Sequence, residues 1–471
     1  MDRTLSQAAA PAAELARAFV SRAAALYERL PQEPTVRPTD PDALARLEAR
    51  SIPTQGRPLE EVWDELLRDV CPGMMLQQHP RSFACVPSSS STLLSWLGDL
   101  LTAAYNPHAS CRANGPALFR IEEKVIRWLC DQVGYPAQAG GLFLSGGSLA
   151  NLTALTAARD AKLPEDQRGN AVVYLSDQTH ASVSKALHII GFRKDQLRIL
   201  PTDTAFRLDL SALRAAATED ACQGKRPFAV VASAGSTNTG SIDPLNAIAD
   251  LCQRCGMWMH VDGAYGASAL LSLTQRAALK GIERSDSLSW DAHKWMLQTY
   301  ACSMVLVREQ SNLLHSFVAH PEYLQDAADS PESVEFWDLG PELTRPARGL
   351  KLWLTLQTLG SQEMGRIIDH GCTLAQTAER LLRTWPDWEI VTPAQLAILN
   401  FRYAPKGCTP AQIDAWNHTI ARQITESGFA TVYTTELRGQ TVLRLCTINP
   451  RTTEEDIRQT LELLAELAQK F

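Results

Sequence analysis

The 471-residue chain, at roughly 100–200 residues per domain, has room for about two or three structural units, and its 45% hydrophobic and 21% charged residues are an ordinary globular mixture. A net charge of −7 supplies no basic footprint for nucleic acid, and no apolar run approaches the ~20 residues that span a bilayer. An odd, scattered set of 11 cysteines without a signal-peptide layout points to reduced thiols and a cytoplasmic location.

Between residues 10 and 30, Leu15, Phe19, Ala23, Leu26 and Leu30 share one stripe, and Arg17, Arg22 and Arg29 lie off it. That periodicity predicts an amphipathic helix; Glu14 and Glu28 speak against a transit peptide. Pro31, Pro34, Pro38, Pro41, Pro53 and Pro58 then break the chain before a helical stretch, Leu59–Val70. Residues 1–85 are too irregular to bury that stripe alone. They are expected to form an N-terminal helical dimerisation segment that packs on another surface, such as a partner subunit.

From 86 to 350 the pattern changes to strand and helix. Leu142–Leu144, Ala171–Leu175, Phe228–Ser233, Met257–Val261, Ser287–Trp290 and Ser303–Val307 read as short buried strands, with helices at Ala150–Ala161 and Pro244–Cys255. Alternation of this kind predicts a large α/β domain with a mostly parallel sheet covered on both faces. Cys252 and Cys255 form a CxxC inside a helical stretch with no second Cys/His pair nearby, so they read as ordinary helix residues. From 351 to 471 a small C-terminal α+β domain is expected. Its helices fall at Leu350–Leu359 and after Glu363, and its strands at Trp388–Val391, Leu396–Arg402, Ala430–Thr434 and Thr441–Cys446. A last helix is capped by Thr453, with Asp456 near its third position.

Several motifs follow the expected strands. Ser145-Gly146-Gly147-Ser148 ends a strand and opens a helix, where free N–H groups and the positive helix end favour a phosphate. An ordinary strand–helix turn would look the same. His180, in Gln178–Ser182, sits after a parallel strand, where ligands of α/β sheets collect, and could stack on a bound ring. Thr237, in Ser236–Gly240, could hydrogen-bond a ring substituent, although Asn and Gly also make plain turns there. Asp262, in His260-Val261-Asp262-Gly263-Ala264-Tyr265, offers a carboxylate. Lys294, in Ser289-Trp290-Asp291-Ala292-His293-Lys294-Trp295-Met296, offers an amine. A lone lysine here would read as a snorkelling surface residue. Paired with Asp262 it reads as the Schiff-base lysine of pyridoxal 5'-phosphate (PLP). That cofactor needs an amine able to lose its proton and a carboxylate that keeps the pyridine nitrogen protonated. The polar stretch from His320 to Pro331 reads as a loop. Tyr323 in it could return a proton to a carbanion, or merely cover the surface.

SGGSLAN (Ser145–Asn151), HVDGAYG (His260–Gly266) and DAHKW (Asp291–Trp295), in that order, resemble a group II PLP-dependent amino-acid decarboxylase. This is the family of aromatic-amino-acid, glutamate and diaminobutyrate decarboxylases. The resemblance implies PLP fold type I, the aspartate-aminotransferase-like architecture, in a homodimer with sites built across the two-fold interface. It implies α-decarboxylation of an L-amino acid. By motif, Lys294 resembles the Schiff-base lysine, Asp262 the partner of the ring nitrogen, His180 the stacking histidine and Ala264 the small residue under the other face. Gly147 and Ser148 resemble the phosphate cup, closed by Asp291 and His293, and Thr237 a cofactor-contacting threonine. Tyr323 resembles the loop tyrosine that protonates Cα. Ser88 sits where the family has a small hydroxylic residue near the substrate carboxylate. His108 and Ser110, in Tyr105–Ser110, are expected to line the substrate pocket from the partner subunit.

Two departures stand out. Family members often have Asn at the position of Asp291, and a carboxylate beside a phosphate is repelled unless paired. A loop arginine of aromatic decarboxylases has no counterpart, its nearest position being Glu335. The substrate is expected to be aromatic or bulky, on the strength of Phe336-Trp337. Diaminobutyrate or an acidic amino acid is the alternative, and Glu335 would favour a basic side chain. Aldehyde-forming relatives replace the loop tyrosine or the stacking histidine, and this chain has both residue types. An aminotransferase would use an arginine of the last domain, Arg402 or Arg444 being candidates. An inactive relative would lack the lysine.

Overall fold

The computed structural model describes residues 2–84, 91–318 and 334–471, with side chains from residue 9 onward. The chain divides into two compact units. One comprises Val86–Gln376 and Thr392–Leu399; the other comprises Met1–Cys85, Thr377–Val391 and Asn400–Phe471.

The first unit is built on a seven-stranded sheet. Its strands are β1 (Gly140–Leu144), β2 (Ala171–Ser176), β3 (Leu197–Leu200), β4 (Arg226–Ser233), β5 (Trp258–Asp262), β6 (Ser287–Asp291) and β7 (Ser303–Val307). Their spatial order is β1-β7-β6-β5-β4-β2-β3. Strands β6, β5, β4, β2 and β3 pair in parallel, and β7 runs antiparallel to both β1 and β6. Because β7 opposes both neighbours, β1 points the same way as β6. Six of the seven strands therefore end at one edge of the sheet, where α/β folds bind their ligands.

Helices cover the sheet through small residues. The helix Gly147–Lys162 buries Ala150, Ala154, Ala157 and Ala158 completely, which lets its axis approach the strands closely. Leu155 and Ala158 of this helix join Val173, Leu175, Val183, Leu187, Phe228 and Val231 in a core. Each such aliphatic or aromatic side chain contributes roughly 1.5–3 kcal/mol on burial. Phe192 and Phe228 stack there at 5.6 Å.

Several elements differ from expectation. Strand β3 is an edge strand with Ile199 more than half exposed, so it carries no continuous apolar run. The helices Leu93–Tyr105 and Pro116–Val133 precede β1, where no element was assigned. The helix Leu59–Glu65 closes in a wider π-type turn, Leu66–Val70. The long stretch Gly349–Leu382 is broken at Gly360, which has φ +76°, as the two-helix reading of that region requires.

A four-stranded sheet, β8 (Trp388–Gln395), β9 (Ile398–Tyr403), β10 (Tyr433–Leu437) and β11 (Gln440–Cys446), has the order β10-β11-β9-β8, and all of it except residues 392–399 falls in the second unit. The expected strand Ala430–Thr434 is displaced toward the C-terminus. Arg438 and Gly439, at φ +51° and +75°, form a two-residue hairpin turn that pairs Leu437 with Gln440 and so sets the register. Thr431 instead bridges to Ser82. Residues 35 and 76–83 are stitched to this unit by main-chain bonds: Thr35 N–H to Gly428 O (2.8 Å), Phe83 N–H to Thr431 O (3.0 Å) and Cys446 N–H to Phe83 O (3.0 Å). The final helix Glu454–Ala468 has Thr453 as its cap, with Asp456 closing the reciprocal box.

Candidate active site

Five strand ends deliver the predicted residues to one place. Ser145–Ser148 follows β1, Gln178–Ser182 follows β2, Ser233–Thr237 follows β4, Asp262–Tyr265 follows β5, and Asp291–Lys294 follows β6. They meet in a cavity of about 260 Å³. Its lining includes Gly147, Ser148, His180, Thr237, Asp262, Ala264, Asp291, His293 and Lys294.

At one end of the cavity the helix Gly147–Lys162 begins. Its N-cap, Gly146, provides no side-chain hydrogen bond, so the first amides and the Ser148 hydroxyl face the space with the positive end of a 16-residue helix behind them. A Cβ on Gly147 would stand 2.9 Å from Asp291 Oδ2 and 3.3 Å from the Ala264 methyl. The cradle is therefore closed to any side chain there. Gly235, with φ +88° and its would-be Cβ 2.9 Å from Gly266 Cα, holds the turn after β4 against the turn after β5.

Lys294 Nζ lies 3.3 Å from Asp291 Oδ2, and the carboxylate is almost fully buried. His293 Nε2 is 3.6 Å from the same oxygen, too long for a hydrogen bond. Burial holds the His293 imidazole below its usual pKa, against the pull of Asp291, so Lys294 is the cation that balances Asp291. Asp291 Oδ1 is buried with no hydrogen-bond partner among the described residues.

At the other end, Asp262 receives three donors. Ala264 N–H (3.2 Å) and Ser289 Oγ–H (3.3 Å) reach Oδ1, and Asn151 Nδ2–H (3.1 Å) reaches Oδ2. Tyr265 fixes the following turn: its ring stacks on Trp295 at 5.0 Å, and its hydroxyl oxygen accepts from Ala397 N–H at 3.0 Å.

Other expected residues lie elsewhere. Ser88 and Tyr323 fall outside the described residues. His108 and Ser110 are not in the lining of this cavity; His108 Nδ1 faces the Asn114 amide at 3.2 Å, and Ser110 is fully buried. Phe336 and Trp337 are core residues, Phe336 packing on Phe119 at 4.3 Å. Glu335 is 1% exposed and accepts from Arg112 N–H at 2.9 Å, so it is a structural cap and gives no support to a basic substrate. Arg402 pairs with Glu389, and Arg444 donates to Ala84 O. Cys252 is buried and Cys255 exposed on one helix, both as free thiols.

Residues 41–404 match the pyridoxal-dependent decarboxylase conserved domain. The chain belongs to that family. The decarboxylase is 42% identical over 443 residues to an aromatic-L-amino-acid decarboxylase of Bacillus atrophaeus, covering 94% of this chain and 92% of the relative. It is 31% identical to a phenylacetaldehyde synthase of Arabidopsis thaliana over 94% and 92% of the two chains. Its fold matches a crystal structure of Oryza sativa TDC with PLP and tryptamine at a TM-score of 0.91 and 30% identity, over 98% of each chain. The enzyme is a PLP-dependent carboxy-lyase of fold type I, and the cavity has the donors that PLP requires. The chemistry of the lining fits that cofactor: the uncapped helix start would meet its phosphate, the partly buried Lys294 its aldehyde, and the three-donor Asp262 carboxylate its ring nitrogen.

The site also contains residues that were not singled out from sequence. Asn151, Gln178, Ser182 and Tyr300 line the cavity. Asn151 had a readable signal, being a carboxamide on the otherwise alanine-rich buried face of a helix. A polar group in that setting needs partners.

Proposed function

We propose that this decarboxylase converts an aromatic L-amino acid to its amine and CO₂. The observation that carries the substrate class is the 42% identity, over nearly the whole chain, to a relative named for aromatic substrates. The burial of Glu335 withdraws the main hint of a basic substrate. PLP, when bound, supplies an aldehyde that couples to amines and a ring that takes up the electron pair released with CO₂. The Gly147 and Ser148 amides and the Ser148 hydroxyl would hold its phosphate. Lys294 Nζ would hold its aldehyde carbon, and Asp262 would keep a proton on its ring nitrogen. Ala264, His180 and Thr237 would contact the ring. Tyr323 returns a proton to Cα, directly or through His180. Ser88 of the same chain, with His108 from a second copy of the chain, would receive the substrate; Ser110, buried within its own chain, takes no part.

A second reading, aldehyde formation, is favoured by the likeness to phenylacetaldehyde synthase. The presence of both His180 and Tyr323 supports simple decarboxylation. The two are separated by incubating PLP-loaded protein with a panel of L-amino acids and following amine, CO₂, aldehyde and oxygen. Amine and CO₂ from aromatic substrates, without oxygen uptake, are expected. Stoichiometric aldehyde with oxygen consumption would replace this reading with the second, and turnover of only acidic or diamino substrates would overturn the substrate class.

A further inference from the structure

Beneath the cavity a chain of hydrogen bonds runs from a group that only donates to a group that only accepts, so the position of every proton along it is determined. Trp258 Nε1–H donates to Ser287 Oγ at 2.8 Å. Ser287 then has its own proton for His260 Nδ1, also at 2.8 Å. His260 is fully buried, which brings its pKa down to about 4 and keeps the ring neutral. Accepting at Nδ1, it carries its single proton on Nε2. That proton goes to Asn151 Oδ1 at 2.9 Å.

The opposite end sets the same orientation independently. The Asp262 carboxylate accepts only, so the nitrogen of the Asn151 amide must face it. Its two N–H bonds go to Asp262 Oδ2 (3.1 Å) and to Ser182 Oγ (3.0 Å). Having accepted there, the Ser182 hydroxyl donates to His180 Nδ1 at 2.8 Å, and Ser182 N–H points at the same nitrogen from 3.3 Å. With two donors aimed at Nδ1, the ring proton of His180 belongs on Nε2.

We propose that Asn151 is the positioning residue that joins the two functional groups of the site. Its one carboxamide orients Asp262 for the cofactor nitrogen and, through Ser182, presents His180 to the cavity as an Nε2–H donor. His180 is thereby able to give a proton at Nε2 and unable to take one there, which makes it a donor to the substrate and excludes a base role at that atom. Asn151 itself is 1% exposed, and its hydrogen bonds go to His260, Asp262 and Ser182.

The test uses two variants that cut the network at different points. Ser182→Ala removes the hydroxyl donor to His180 and leaves the main-chain N–H of residue 182 in place, and Asn151→Ala removes the amide that joins both branches. Nitrogen NMR of cofactor-free protein labelled in its histidine rings reads the tautomer directly, with the His180 signal assigned by its loss in His180→Gln. In the parent protein His180 is expected to be protonated at Nε2, and in both variants to exchange between tautomers. In PLP-loaded protein, the pH midpoint of the cofactor's visible absorbance is expected to move in Asn151→Ala and to stay put in Ser182→Ala. Both variants should lose kcat, about tenfold or more, with KM little changed. A parent His180 protonated at Nδ1, or tautomer spectra unaltered in Ser182→Ala, would overturn the proposal. The Ser182 variant removes one buried hydroxyl and keeps the test decisive if Asn151→Ala does not fold. The tautomer measurement needs no cofactor, so it stands apart from the substrate assignment.

Discussion

Asp291 places a buried negative charge beside the turn that, in our proposal, receives the cofactor phosphate. In the free site Lys294 balances it at 3.3 Å, but Lys294 is also the residue that must bond to the cofactor. Two like charges a few ångströms apart in a partly buried site repel by about 1–3 kcal/mol. Asp291→Asn keeps the shape and removes that charge. We expect PLP to bind roughly tenfold more tightly to this variant, on the order of 1.4 kcal/mol, as read by equilibrium titration of visible absorbance. Equal or weaker binding would show that the carboxylate is needed to hold Lys294. A second residue-scale effect concerns acid. His260, fully buried, and His79 both have pKa values brought down to about 4, chiefly by burial. In the unfolded chain each returns to about 6.5. Between those values the unfolded state binds the extra protons, so stability is full above pH ~6.5 and falls as pH drops toward 4. For His260 the loss is about 3 kcal/mol over that window. Urea midpoints measured from pH 7 to 4.5 should fall steeply, and His260→Gln should flatten the slope even if it lowers the midpoint at pH 7. A slope identical to the parent's would refute the assignment.

At the scale of elements, the helix Gly147–Lys162 is a structural cover and, in our proposal, the phosphate site, and one residue separates the two roles. Alanine at position 147 improves helix propensity by up to about 1 kcal/mol. It also puts a methyl 2.9 Å from Asp291 Oδ2 and 3.3 Å from the Ala264 Cβ, closing the cradle. Gly147→Ala should therefore lower the melting temperature of cofactor-free protein slightly, because buried Asp291 must shift against the propensity gain, while PLP affinity falls tenfold or more. Calorimetry with and without PLP checks both halves, and a large drop in melting temperature would mean the clash is structural. The same element shows what is legible in a sequence. Strands β1, β2 and β4 to β7 are buried along most or all of their length, so each reads as a short apolar run. The motifs that follow them inherit a common edge. Lys294, Asp262, His180 and Gly147 were readable because chemistry and position coincide in a few consecutive residues. Ser182 and His260 were not, because their partners come from distant segments, and Asn151 was legible only as a buried carboxamide in need of partners, not by which partners it finds. Strand β3 and the helix Leu93–Tyr105 escaped for the opposite reason: β3 lies at the sheet edge, and that helix exposes its apolar side chains.

That exposure has its meaning at the scale of the molecule. On the helix Leu93–Tyr105, Leu97, Leu100, Leu101 and Tyr105 recur at helical spacing and are about half to four-fifths exposed. On the helix Asp2–Arg29, Phe19 and Val20 are likewise open. Stripes of this kind mark interaction surfaces, and two identical copies meeting about a two-fold axis cover the same stripe on both. The segment that follows the first stripe contains His108 and Ser110, which lie outside the cavity of their own chain. If His108 serves the cavity of a second copy, then Lys294→Ala and His108→Ala are each inactive alone but repair one another. A mixed dimer has one site carrying both changes and one carrying neither. Random exchange of equal amounts makes half the dimers mixed, so about a quarter of all sites are intact. We expect the mixture, after dissociation and reassociation, to regain about a quarter of parental activity, and Leu100→Glu to shift the protein to monomer in sedimentation with loss of turnover. Full activity from a monomer would remove the shared site altogether. A dimer whose mixed form stays inactive would place His108 and Lys294 in the service of the same chain.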